Sequence, residues 1–458
     1  PGSISGRKDS NFSIGGLGQC EMVRYKRSFA LVIFLSVTTL LAACIRKSHF
    51  SDELWDSTSD GNYRIATLEF SERGNLIHRD HLPQLLEEIS AESDPLVLVF
   101  VHGWKHNGEQ DDPNLESFRG VVRHLAESDI TPANQVVIGV YIGWPGKSVT
   151  LPLAKETTFW SRKVVAEEVG RGGVTEVLLR LENAQSSRDE RAVFVTVGHS
   201  FGGAIVLSAL NEVLLERVVA ASKSKKCNPN GIDECREMCV KARSFGDAII
   251  LLNPAIEANQ VLPLKSAVAE RCFPPDQSKL LHVVSTSEDF ATHRLFPMGQ
   301  WLKMLAWREE DSLPRDYRGE PMTLSEHDLD ITTVGNYPGY WTGLLEEKDG
   351  RYRYCSYALN NAKQCADRPP PEGGFPARSF EPLSFVYTDG GFMSDHNDVF
   401  NEKVSAYLAT VVQESITRKR EGGSGHSGRI LCYGQWMGFH SCFLDNLERL
   451  VASRGVDP

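Results

Sequence analysis

Unbroken apolar runs rich in β-branched residues recur at 95–101, 135–142, 192–197, 248–252 and 280–285. A strand wetted on one face alternates polar and apolar residues, whereas a continuous run suits a strand covered on both faces. Between these runs lie stretches with apolar residues three and four apart, at 115–127, 162–182 and 203–221, the spacing of amphipathic helices. Buried strands alternating with helices predict βαβ units, and hence an α/β fold with a mostly parallel central sheet and helices on both faces. Upstream, 63–70 alternates like a strand and stops at the turn-forming Glu72-Arg73-Gly74-Asn75; 81–90 then places Leu82, Leu85, Leu86 and Ile89 on one helical face. A last strand is predicted over 382–388 and a closing helix over 400–412. The rhythm fails across 294–380, which carries Trp301, Trp307, Tyr337, Tyr340, Trp341, Tyr352 and Tyr354 and the run Pro369-Pro370-Pro371. That stretch reads as an insertion over the sheet, a candidate lid, with most of its aromatics read as a satellite core. Gly422-Gly423-Ser424-Gly425 reads as a flexible joint to a C-terminal segment, 422–458.

The run at 29–43 is of another kind. At about 15 residues it is short of the roughly 20 a spanning helix needs, and Arg24, Lys26 and Arg27 precede it, as in a signal peptide. It ends Leu41-Ala42-Ala43-Cys44, which resembles the bacterial lipobox, cleaved before a cysteine whose thiol takes lipid; ordinary secretory cleavage after Ala43 would favour a smaller residue than Leu41. The resemblance implies that 1–21 lie upstream of the natural start, that 22–43 form a lipoprotein signal peptide, and that 44–62, polar and rich in Ser and Asp, tether the chain to a membrane through lipidated Cys44. Ile45, not Asp, after the cysteine implies the outer membrane of a bacterial envelope, facing the periplasm.

Composition agrees with export. Setting aside Cys20 and Cys44, eight of the 10 cysteines remain (Cys227, Cys235, Cys239, Cys272, Cys355, Cys365, Cys432, Cys442), an even set that reads as disulfides in an exported chain. Cys355–Cys365 and Cys432–Cys442 are the local pairings expected. The zinc alternative at Cys235 and Cys239 lacks a second paired set of ligands. The net charge of −11 leaves no basic footprint, which argues against a nucleic-acid partner.

In parallel sheets ligands gather at the carboxyl ends of strands. The run 192–197 leads straight into Gly198-His199-Ser200-Phe201-Gly202-Gly203 and then a helical pattern. This is G-x-S-x-G between strand and helix, where a serine sits on a sharp turn with its hydroxyl outward. A serine hydroxyl needs a base to take its proton and backbone donors where oxyanion charge develops. The N–H of Phe201 offers one donor. The earlier strand ends Val101-His102-Gly103-Trp104, which resembles the H-G-x oxyanion loop of α/β-hydrolases, and that resemblance nominates the N–H of Trp104 as the second donor; the rival reading makes His102 and His106 metal ligands.

With H-G-W-K-H-N at 102–107 and G-H-S-F-G-G at 198–203, the chain resembles the α/β-hydrolase superfamily over 63–412 apart from the insertion at 294–380, and most of all a bacterial subgroup of esterase-like proteins. The resemblance implies an α/β-hydrolase fold with a long insertion before the catalytic histidine, and the chain order Ser, acid, His. Thr286-Ser287-Glu288-Asp289-Phe290-Ala291-Thr292 then supplies the acid, Asp289, with Glu288 as fallback; Asp395-His396-Asn397-Asp398 supplies the base, His396. His199 packs, and His282, His293 and His327 are structural or on the surface. The expected activity is ester hydrolysis on a small-molecule or lipid ester, through an acyl-enzyme and without metal or organic cofactor, with the insertion as a candidate acyl-binding wall. The rivals are an inactive hydrolase fold serving as an envelope binding or assembly protein, and cleavage of an amide or thioester by the same chemistry.

Overall fold

The computed structural model describes residues 50–422 apart from 59–60, 129–130, 133–134, 148–154, 187–191, 222–239, 272, 275–276, 305–309, 311, 318–319, 349–350 and 357–380. The signal-peptide, lipobox and C-terminal expectations, and both expected disulfide pairs, lie outside the described residues or rest on side chains beyond them.

The apolar runs form strands β1 (Tyr63–Glu69), β2 (Leu96–Val101), β3 (Val137–Gly143), β4 (Val193–His199), β5 (Ala248–Leu252) and β6 (Leu281–Thr286). Four more strands, β7 (Leu313–Tyr317), β8 (Glu320–Leu324), β9 (Gly343–Lys348) and β10 (Arg351–Ser356), precede β11 (Leu383–Thr388). The central sheet runs β1-β3-β2-β4-β5-β6-β11-β9-β10. Its first eight strands are mutually parallel and β10 closes the edge antiparallel to β9. The hairpin β7–β8 stands apart from it.

Helices cover both faces. Along β2, Val97, Val99 and Val101 point into one core and Leu96, Leu98 and Phe100 into the other. The first core takes the apolar sides of α1 (His81–Ala91), α3 (Lys155–Val169), α4 (Thr175–Ser186), α5 (Phe201–Ala221) and α6 (Leu262–Ala269). The second takes α2 (Pro113–Glu127) and, after α7 (Phe296–Met304) and α8 (Glu326–Ile331), the last helix α9 (Glu402–Gly422). No described helix is long and apolar enough to cross a membrane.

Three local results differ from expectation. The helix expected over 162–182 is two helices joined by a π-helical turn at Gly170–Val174, where Gly172 leaves helical geometry. The closing helix starts at Glu402 and continues to Gly422, well past 412. The 294–380 stretch does not only lie over the sheet, since β9 and β10 extend it. Of its described aromatics, Tyr340 is core, fully buried with its hydroxyl donating to Ala258 O, while half-buried Trp341 stacks on Tyr387 at 4.1 Å.

The chain leaves β2 toward β3 on one side and leaves β4 toward β5 on the other, so the crevice of this sheet opens between the carboxyl ends of β2 and β4. Helix α5 can start in that crevice only because it begins with glycines. A Cβ on Gly202 would stand 1.9 Å from Val101 O and 2.6 Å from His102 O. Gly202→Ala should therefore cost about 3 kcal/mol or more, the overpacking range with backbone as the obstacle. Gly120→Ala, exposed in α2 with open space around it, should instead gain about 0.5–1 kcal/mol. Urea unfolding of both variants measures the contrast, and equal midpoints would show that the strand–helix approach is looser than described.

Candidate active site

Three non-glycine residues among those described have a positive φ: Lys105 at 72°, Ser200 at 56° and Asn253 at 44°. They follow β2, β4 and β5, three neighbouring strands, at the same end of the sheet. Left-handed backbone at such residues costs roughly 1–3 kcal/mol each and persists only where its surroundings enforce it.

Ser200 forms the turn from β4 into α5. Its N–H donates to Leu252 O at 3.0 Å, and its own carbonyl accepts from Ala204 N at 3.2 Å and Ala255 N at 3.0 Å. These bonds pin the turn to the end of β5 and aim the side chain out of the elbow. Ser200 Oγ lies 2.8 Å from His396 Nε2, and His396 Nδ1 lies 2.8 Å from Asp289 Oδ2. A carboxylate only accepts, so Nδ1 carries the proton and Nε2 presents its lone pair to the Ser200 hydroxyl.

Asp289 follows β6 and is fully buried. Burial alone would raise its pKa, but the His396 charge and hydrogen bond, with hydrogen bonds from Thr292, outweigh it and hold the carboxyl below its ordinary value. Thr292 N donates to Asp289 Oδ1 at 3.0 Å. Glu288, the fallback acid, is exposed and accepts from its neighbour Ser287 instead.

His396 lies in the loop between β11 and α9, and its carbonyl is held from two sides. His199 Nε2–H donates to it at 2.8 Å and Asn253 Nδ2 at 3.2 Å. Asn253 Oδ1 in turn accepts from Thr286 N at 3.1 Å, at the end of β6. Sequence reading placed His199 as a packing residue and passed over Asn253, although an Asn-Pro pair after a strand signals a constrained turn.

The two nominated backbone donors flank the elbow. Phe201 is the first residue of α5, where N–H groups lack an intrahelical acceptor and the helix end favours negative charge. The loop carrying Trp104 is pressed onto Ser200, since a Cβ on Gly103 would meet Ser200 Cβ at 2.8 Å. His102 fixes that loop: its Nδ1–H donates to Gly103 O at 2.8 Å and its Nε2 accepts from Trp144 N at 3.0 Å. With both ring nitrogens engaged, His102 is no metal ligand, and His106 is bound to Asp112 Oδ1 at 2.8 Å. Chemically, a hydroxyl bonded to a neutral imidazole that is oriented by a buried carboxylate can lose its proton to the ring as it attacks an electrophile.

Compared with protein-family models, curated proteins and solved structures, the chain matches none.

Burial pushes His102, His199 and His282 down to about 3 from an ordinary 6.5, so each is neutral when folded. The unfolded chain takes up protons on these rings below about 6.5, the folded chain only near 3, so stability is lost as pH falls through that window. Glu69 acts oppositely, because burial raises its carboxyl from 4.5 to about 7 and its ionisation destabilises the fold as pH rises between those values. The three rings should outweigh it: denaturant midpoints should drop from pH 6.5 to pH 4, and His199→Gln should flatten part of that slope. An unchanged slope in the variant would mean that His199 is not buried neutral.

Proposed function

We propose that the protein is a serine hydrolase of the α/β-hydrolase type that cleaves carboxylic ester (acyl) bonds. The observation that carries the reading is the His396 imidazole, 2.8 Å from the Ser200 hydroxyl on one side and 2.8 Å from the Asp289 carboxylate on the other. Ser200 Oγ attacks the ester carbonyl carbon while His396 Nε2 takes its proton. The oxyanion so formed is held by the N–H groups of Phe201 and Trp104. His396 then gives the proton to the departing alcohol oxygen, leaving an acyl-Ser200. Water attacks this ester with His396 again as base, and the acid leaves. Asp289 keeps the ring in its tautomer and stabilises its charged form. No step draws on a cofactor. Support for the oxyanion donors comes from Gly103 packed on Ser200 and from the position of Phe201 at a helix start. The substrate class is a small-molecule or lipid ester, and amide or thioester cleavage would use the same parts.

An alkyl fluorophosphonate probe tests the nucleophile. Wild type should be labelled at Ser200 and Ser200→Ala should not, while His396→Ala should lower turnover of short p-nitrophenyl esters on the order of 10⁴-fold or more. Labelling of Ser200→Ala equal to wild type would remove the serine from this role, and an unlabelled, inactive wild type would favour the binding-protein alternative.

The reading extends to location: a lipid on Cys44 would hold the hydrolase domain at a bacterial membrane, with more than one acyl chain needed for stable anchoring. Metabolic labelling with an alkynyl fatty acid should mark the wild type and not Cys44→Ser; label retained in the variant would falsify the anchor.

A further inference from the structure

The turn between β1 and α1 reads His78-Arg79-Asp80-His81, and the proposed chemistry makes no use of it. His81 N donates to His78 O at 3.1 Å, closing the turn so that residues three apart face the same way. The two imidazoles lie face to face, centroids 4.9 Å apart and planes 26° from parallel. One ligand atom each from His78, Asp80 and His81 fall within 4.8 Å of one another. His81 is buried, His78 half-buried and Asp80 open to solvent, so the cluster has a firm base and an entry path.

A second segment reaches the same place. Ahead of β1, the chain runs alongside that strand, with Thr67 N donating to Leu54 O at 2.9 Å and Asp56 N to Ile65 O at 2.8 Å. Its outer end brings Asp52 to the two rings. Asp52 O lies 3.3 Å from His81 Nε2, and Asp52 Oδ1 lies 3.6 Å from His78 Nε2. An imidazole that ligates a metal gives its other N–H to an oxygen that fixes the ring, and Asp52 O stands in that position for His81.

We propose that His78, Asp80 and His81, with the Asp52 carboxylate as fourth ligand, form a zinc site that clips the chain entering β1 to the start of α1. Two imidazole nitrogens and two carboxylate oxygens are a donor set that Zn²⁺ accepts in tetrahedral geometry. Metal–ligand bonds of about 2 Å put the ligand atoms roughly 3.3 Å apart. The ligand atoms of His78, Asp80 and His81 must draw in from their present 4.8 Å limit, and the exposed Asp52 carboxylate, 3.6 Å from His78 Nε2, must swing in to complete the set. With all four positions filled by protein the ion is structural, and the site is independent of the serine-centred chemistry.

The test uses the whole purified protein, stripped with a chelator and reloaded with Co²⁺ or Zn²⁺. One Co²⁺ per chain should bind with visible d–d bands and without the near-ultraviolet thiolate band that binding at the cysteines would give. His78→Ala and Asp80→Ala, with circular dichroism checking that each stays folded, should each weaken Zn²⁺ binding by about 100-fold. Asp52→Asn should weaken it less, by roughly 10-fold. Zn²⁺ should raise the melting temperature of wild type and not of His78→Ala. A thiolate band, undiminished affinity in the His78 and Asp80 variants, or no binding at micromolar metal would each overturn the proposal.

Discussion

The site depends on a reach across the sheet. Ser200 follows β4, and His396 follows β11, three strands away in the order β4-β5-β6-β11. At about 4.8 Å per strand that is roughly 14 Å, more than two side chains can span unaided. The loop after β11 must therefore arch back over β6 and β5, and it is held by residues at the ends of those same two strands. Thr286, closing β6, donates its hydroxyl to Met393 O at 2.8 Å. Asn253, just past β5, donates to the His396 carbonyl, and His199 adds a second bond to the same oxygen from β4. Asp289 meets the ring from the β6 side. Each intervening strand supplies a tie, so the distance between hydroxyl and imidazole follows from the sheet rather than from the loop alone.

That arrangement stores strain and is offset elsewhere. Left-handed backbone at Lys105, Ser200 and Asn253 is unfavourable locally, while the close passage beneath Val101 is open only to a glycine at 202. The compensation lies in the two cores on either side of the sheet, where β2, β3 and β4 are buried along their whole length. Unbroken apolar strands thus have two roles: they bury both faces, and they make the strand ends rigid enough to hold unfavourable turns. The rim can specialise because the interior is uniform.

Much of this was legible in the chain. The strand runs at 95–101 and 192–197 appear as Leu96–Val101 and Val193–His199, because uninterrupted β-branched residues have few other uses. Ser200, Asp289 and His396 could be nominated from motif and order, since each sits just after a recognisable strand. The π turn at Gly170–Val174 was hidden by helical periodicity on both sides. Its glycines answer a tertiary demand, for a Cβ on Gly170 would lie 2.6 Å from Ile205 O in α5. Strands β9 and β10 escaped notice because both are short and rich in charged residues, and because β9 pairs with β11, well further along the chain, while β10 pairs with β9 alone among the described strands. At Asn253 the Asn-Pro pair marks a constrained turn, but its two hydrogen bonds to segments far along the chain are encoded by no local pattern.

The histidines around the rim show how one residue type is divided into separate tasks by burial. His102 and His199 are closed off from water, and the cost of placing a charge there keeps both rings neutral far below pH 7. A ring that cannot change charge is a dependable donor, and both are used so: His102 toward Gly103 O, His199 toward His396 O. His396 alone among the three keeps part of its side chain in solvent, 15% of it, and alone has a carboxylate against its Nδ1. Those two features set its surroundings apart from those of the two closed-off rings. Exchange the environments and the roles would exchange with them, since the imidazole is chemically the same in all three. The proposed proton transfer is assigned to His396 for its distance to Ser200, and the neutral ring of His199, bonded to the His396 carbonyl, helps hold that residue in position.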